Sequence, residues 1–164
     1  LTRCMAKDRH QRPADGGELH YELKAILRAM RNIEALVDDA VKGLDFECQF
    51  DGTRVSVRVP QPGNRWQWVY VEDCIAELAA ERVVKIYSVC CAAQENYYRH
   101  ALELNATVSY GSLAIDDVQG KPCFVMVNTY PRATCDPGEV RRSILDVARW
   151  ADEVERVLTG QDQY

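Results

Sequence analysis

From residue 13 to about residue 43, apolar residues recur three or four positions apart: Leu19, Leu23, Ile26, Leu27, Met30, Ile33, Val37 and Val41. That spacing predicts helix with one apolar stripe. Gly43 stops the run, because glycine accepts the left-handed backbone just past a helix end. The run is long for one globular helix, so a break within residues 29–32, between two helices with different jobs, is expected. The period then changes from helical to alternating. Residues 46–50 and 54–59 read as strands flanking Asp51-Gly52, a two-residue hairpin signal. Gln61-Pro62-Gly63-Asn64 is a second turn. Residues 65–71 form a third strand, with Trp66, Trp68 and Tyr70 on one face and Val69 and Val71 on the other. A strand apolar on both faces is central and covered on both sides, or it exposes an aromatic patch.

Residues 73–80 are expected to make a short helical turn and residues 83–89 a fourth strand, rich in β-branched side chains. Residues 94–104 read as helix, with Tyr97, Ala101 and Leu104 on one stripe and Asn105 able to end it. Strands at 109–115 and 122–129 follow, joined by a turn over 116–121 in which Gly120 supplies the flexible position. The last helix has the fullest signature. Asp136 suits the N-cap, Pro137 the first helical position, and Glu139 closes a capping box. Val140, Ile144, Val147, Ala151, Val154 and Leu158 then repeat at helical spacing until Gly160. The implied fold is α+β: an antiparallel sheet of five to six strands with helices packed on one side, in the order α-βββ(β)-α-ββ-α.

Composition narrows the class. The chain has 164 residues, 47% hydrophobic and 27% charged, which suits one globular domain or one domain plus a short extra piece. Seven cysteines (Cys4, Cys48, Cys74, Cys90, Cys91, Cys123 and Cys135) are odd in number, lack a CxxC pair and mostly sit in apolar runs. They read as reduced, buried thiols of a cytoplasmic protein rather than a disulfide framework. The net charge of −5 lacks the basic excess of a nucleic-acid binder. No apolar run approaches the ~18 residues of a membrane span. The sequence opens on Leu1 rather than methionine, as expected of a fragment of a longer product or of a processed or cloned chain.

Candidate chemistry is sparse. His10, His20 and His100 are scattered, none at metal-ligand spacing, so neither a metal nor another cofactor is expected. Cys90-Cys91 is a tempting pair, but neighbours on a regular strand point to opposite faces and cannot serve one site. GxSxG, HExxH, Walker and GxGxxG motifs do not occur. Asp116-Asp117 reads as a polar turn before a cation site. The Trp66, Trp68 and Tyr70 stripe reads first as core beneath the helices; left open, it is a candidate surface for a ligand or peptide. The basic residues of the first thirty positions read as a solvated helix face.

Two resemblances bear on function. Cys4-Met5-Ala6-Lys7-Asp8, then Arg12-Pro13 and Glu18-Leu19, resemble the end of a bacterial serine/threonine protein kinase domain, which closes on a Cys-Leu-Ala-Lys-Asp-Pro-x-x-Arg-Pro helix and a last helix. Arg9 stands where that family usually has proline. The resemblance implies that Arg12 takes part in a structural ion pair, with the glutamate of the family's Ala-Pro-Glu motif. The glycine-rich loop, the strand lysine, the His-Arg-Asp loop and the Asp-Phe-Gly motif are absent from this sequence, so no catalytic residue carries over and ATP and Mg²⁺ would belong only to a kinase parent. From about Arg31, the strand over 65–71, Ile86-Tyr87-Ser88, Leu104-Asn105, residues 110–116 and the final helix resemble the YbjN-like group of the type III secretion chaperone-like fold. Secretion-chaperone members of that fold dimerise and clasp an extended partner segment. The expectation is a kinase-tail remnant over 1–30 and a YbjN-like domain over 31–164. That domain would bind a protein partner, its own kinase lobe or a second copy as a homodimer, without catalysis of its own. The alternative is a free-standing chaperone-like binding protein. A third class, a small enzyme, would need a pocket lined by carboxylates or cysteines with shifted pKa values.

Overall fold

The computed structural model describes residues 2–76 and 80–160. After two short 3-10 segments, Thr2–Met5 and Arg9–Gln11, come helices α1 (Gly16–Met30) and α2 (Ile33–Val41). The expected break falls between them because Asn32 caps α2, its side chain accepting from the Ala35 backbone N–H at 2.7 Å. Six strands follow: β1 (Glu47–Asp51), β2 (Arg54–Gln61), β3 (Arg65–Ala76), β4 (Glu81–Ala92), β5 (Ser112–Val118) and β6 (Lys121–Pro131). Between β4 and β5 lie a 3-10 turn, Glu95–Tyr97, and α3 (Tyr98–Asn105); α4 (Pro137–Thr159) ends the fold. The strands form one antiparallel sheet in the order β1-β2-β3-β4-β6-β5.

Several boundaries differ from the sequence reading. Asp51 pairs with Arg54, so the hairpin turn is Gly52-Thr53, one residue later than expected. The segment expected as a helical turn from 73 is strand through Ala76, because Asp73, Cys74, Ile75 and Ala76 pair with β4; pairing overrides a weak local preference. Residues 77–79 of that expectation lie outside the described residues. Asp116, Asp117 and Val118 belong to β5, leaving Gln119-Gly120 as the turn, with φ 56° and 78°. β5 also starts later than expected, at Ser112. Just before it, Gly111 (φ 82°) lies so close to β6 that a Cβ there would meet the Val127 carbonyl oxygen at 2.7 Å, so only glycine fits.

The core fills the face covered by helices. Val55, Val57 and Val59 of β2, Val69 and Val71 of β3, and Val84 and Ile86 of β4 meet Leu36 and Val37 of α2 and Ile144, Val147 and Ala151 of α4. The capping box of α4 is complete: Asp136 Oδ1 accepts from Gly138 and Glu139 backbone N–H groups at 2.8 and 3.0 Å, and Glu139 Oε2 accepts from the Asp136 backbone at 3.0 Å. Gly160, at φ 64°, ends the helix as expected. A buried ion-paired node ties the start of α2 to the sheet. Arg132, 1% exposed, meets Asp73 at 3.2 Å and donates to the Arg31 carbonyl, while Arg82 meets the same carboxylate at 2.6 Å.

The segment before α2 is different. Among described side chains of residues 3–30 none is buried, and Tyr21, Ile26, Leu27 and Met30 are exposed. Arg3 pairs with Glu18 and Glu22, which holds the opening 3-10 turn against α1 itself.

Candidate partner-binding face

Strand alternation puts the residues between the core positions on the opposite face, which no described helix covers. Trp66, Trp68 and Tyr70 lie there, beside Arg54 and Arg58 of β2 and Lys85 and Tyr87 of β4. The stripe is therefore not core beneath the helices, as first read; Val69 and Val71, facing the other way, fill that role. The reason is packing volume: the helix side takes compact β-branched residues, and the bulky rings are left to the open side.

The rings form a continuous surface. Trp66 and Trp68 meet edge to face at 5.9 Å, and Tyr70 stacks on its cross-strand neighbour Tyr87 at 5.2 Å. Cations lie over them: Arg58 is 4.4 Å from the Trp66 ring centroid, Lys85 is 4.9 Å from that of Tyr87, and Arg54 is 5.2 Å from that of Tyr70. Carboxylates hold these cations: Glu47 meets Arg58 at 3.2 Å and Asp116 meets Lys85 at 2.7 Å. The Lys85 hydrogen bond draws the Asp116 pKa below its ordinary value. The Tyr87 hydroxyl donates to Glu72 Oε1 at 2.7 Å, and burial followed by that bond pushes the phenol above its usual range.

At one end of this face the sheet hollows into a groove of about 630 Å³. Trp66, Trp68 and Tyr70 of β3 make one wall, Val89 and Cys123 the floor, and Val118, Gln119 and Lys121 of the β5–β6 hairpin the other wall. Val125, in register with Val89 and Ala114 on this face, is 1% exposed although no described helix covers it. The face is thus concave along β4 and β6. Among the described residues no carboxylate lines the groove, and burial raises the pKa of the lining thiol Cys123. The described lining offers apolar contact from the rings and valines and hydrogen bonds from its polar side chains.

The other sequence candidates lie elsewhere. Arg12 is exposed before α1, its Nε donating to the Ala6 carbonyl at 2.8 Å. His10, His20 and His100 are exposed. Among the described residues no group of three or more His, Cys, Asp or Glu side chains is placed to hold a metal ion, and no helix is long and apolar enough to cross a membrane. Four cysteines are buried, but Cys48 is exposed and Cys4 and Cys74 partly so, against the expectation of buried thiols. Cys90 and Cys91 also depart from the reading of opposite faces. A bulge between Val89 and Cys91 breaks the alternation, and both thiols join the helix-side core. Burial pushes Cys90 up strongly and Cys91 to about 11, the latter helped by the Glu155 charge, so neither is a ready thiolate. Sequence reasoning missed Tyr87, Arg54, Arg58 and Lys85 as members of the face. Their alternation in β2 and β4, in phase with Trp66, Trp68 and Tyr70, was the available signal.

No family model matches the chain, and no curated protein sequence matches it.

Proposed function

We propose that this chain is a non-catalytic, cytoplasmic protein-binding module, the C-terminal regulatory part of a bacterial serine/threonine protein kinase. Residues 1–30 close the kinase lobe and residues 31–164 form the module, which binds a protein partner or its own kinase lobe. The observation that carries the binding role is the uncovered, concave aromatic face built on Trp66, Trp68 and Tyr70. An aromatic patch of that kind, rimmed by charge, is the anatomy of a recognition surface. The edge strand β1, exposed at every residue, offers a second route by strand addition. The module takes no cofactor itself; ATP and Mg²⁺ belong to the kinase parent.

The kinase link is supported by the burial contrast at α1. Its apolar residues Ile26, Leu27 and Met30 find no cover on the sheet, as expected of a helix whose packing partner is a different domain. Arg12 is then the structural arginine of the kinase tail, exposed here and paired in the parent. A YbjN-like module is consistent with the six-stranded antiparallel sheet and its one-sided helices.

Truncation tests this. Removing residues 1–30 is expected to move the melting temperature by less than about 3 °C, because no described side chain there is buried. A loss of 10 °C or so would overturn the boundary and favour a free-standing chaperone-like protein whose first helix belongs to its own fold. Phosphoryl transfer by the purified chain would overturn the non-catalytic reading.

A further inference from the structure

The groove also carries a charge preference. Five cations border it or the rings beside it: Arg54, Arg58, Arg65, Lys85 and Lys121. Four have carboxylate partners: Arg54 with Asp51 at 3.8 Å, Arg58 with Glu47 at 3.2 Å, Arg65 with Asp152 at 2.8 Å and Lys85 with Asp116 at 2.7 Å. Lys121 has no ion pair among the described residues; the nearby Asp117 carboxylate, which also acts on Cys123, is engaged by the Gly120 N–H and is not part of the groove lining. Its position is well defined. Lys121 opens β6 directly opposite Val118, across the tight Gln119-Gly120 turn, and Asp117 Oδ1 locks that turn by accepting the Gly120 N–H at 2.7 Å. An ammonium at the rim of an apolar groove, facing indole rings across it, gains most from a carboxylate brought by an occupant, since partial desolvation strengthens a charge-assisted hydrogen bond.

We infer that the groove takes an acidic peptide segment: a bulky apolar side chain seats on Val89 and Cys123 between Trp68 and Val118, and a flanking carboxylate pairs with Lys121. This rests on the reading of the open face as partner-binding. The groove's size suits one or two side chains, so it is an anchor point within a larger contact. The chain as a whole carries a net charge of −5. An acidic segment is therefore selected at contact by Lys121 and is not drawn in by the long-range field.

The test is a ¹H–¹⁵N NMR titration of the full chain, which registers weak binding. The chain has three tryptophans. Trp66 and Trp68 face the groove, while Trp150 on α4 packs against the core of the other face and serves as an internal reference. Their indole signals are assigned with Trp66→Phe and Trp68→Phe. The probes are a short peptide carrying Leu-Phe between glutamates and its twin with lysines in their place. The glutamate peptide is expected to shift Trp66 and Trp68 but not Trp150, to bind about tenfold more tightly than the lysine twin, and to lose that advantage in Lys121→Glu. Lys121 is exposed, so this variant keeps its fold. Equal binding of both peptides, or a preference unchanged in Lys121→Glu, overturns the acidic selection and leaves the open face as a partner surface of unspecified charge. If neither peptide moves Trp66 or Trp68, the groove itself is overturned as an anchor. The truncation experiment decides the module boundary independently of either result.

Discussion

The two faces of this sheet are built by alternate residues of the same strands, yet they share almost no chemistry. On the helix side, β2, β3 and β4 present Val55, Val57, Val59, Val69, Val71, Val84 and Ile86, all buried. On the other side the intervening positions include Arg54, Arg58, Trp66, Trp68, Tyr70, Lys85 and Tyr87, none of them buried, and among the described residues buried apolar side chains appear there only where the sheet curves over Val83, Cys123 and Val125. The difference follows from what lies opposite. Helices α2 and α4 bring their own apolar stripes, so the strands beneath them need compact, stiff side chains that leave no voids. A face that meets water must hold apolar area and stay solvated. Large rings with cations over them and polar tips at their edges do both.

The largest effect should come from putting a charge on the closed face. Val71→Asp, at a position with 0% exposure, should cost more than about 4 kcal/mol, enough to abolish the cooperative urea transition followed by circular dichroism. On the open face Trp66→Ala should cost only about 1 kcal/mol in the same measurement, while removing an anchor ring. A loss of about 3 kcal/mol or more there would break the comparison, because the aromatic wall would then be acting as core. The smallest effect concerns the rim. The Asp116 pKa is lowered by Lys85, so the pair adds stability above the ordinary carboxylate pKa and loses it as pH falls through the lowered folded value. Both partners are partly exposed, which limits the contribution to ~0.2–1 kcal/mol. The melting-temperature gap between the wild type and Asp116→Asn should therefore be small at neutral pH and close in acid; a gap that persists in acid would locate its cause outside the ion pair.

Much of this layout is legible in the sequence because local signals and tertiary packing agree. Asp136-Pro137, Glu139 and Gly160 mark the ends of the last helix by cap chemistry, and the structure uses each in that role. The break expected within 29–32 falls where Asn32 supplies a cap that the sequence reading did not single out. The assignment of faces was harder to read. Residues 65–71 are apolar in both phases, so alternation alone cannot say whether Trp68 or Val69 lies under a helix. That depends on where α4 docks, a contact between residues some eighty positions apart. The strand over Asp73–Ala76 was missed because its evidence lies in the partner β4. The groove was missed for a similar reason: Val89, Lys121 and Cys123 approach Trp68 only because β6 inserts between β4 and β5 in the sheet. At α1 the sequence pattern was right and its consequence was not visible, since periodicity predicts a stripe without naming what covers it.

The bulge in β4 has a consequence for how this chain tolerates changes in length. Val89 pairs with Val125 and Cys91 with Phe124, adjacent positions on β6, so Cys90 is a residue that the ladder does not count. The strand carries one residue of slack. Deleting Cys90 would remove a buried thiol yet leave Cys91 opposite Phe124 and Ala92 opposite Cys123, with every later side chain on its present face. Elsewhere in β4 a one-residue deletion would exchange the two faces from that point on. Shortening of the chain, ordinarily confined to loops, thus has an admissible position in the middle of this sheet.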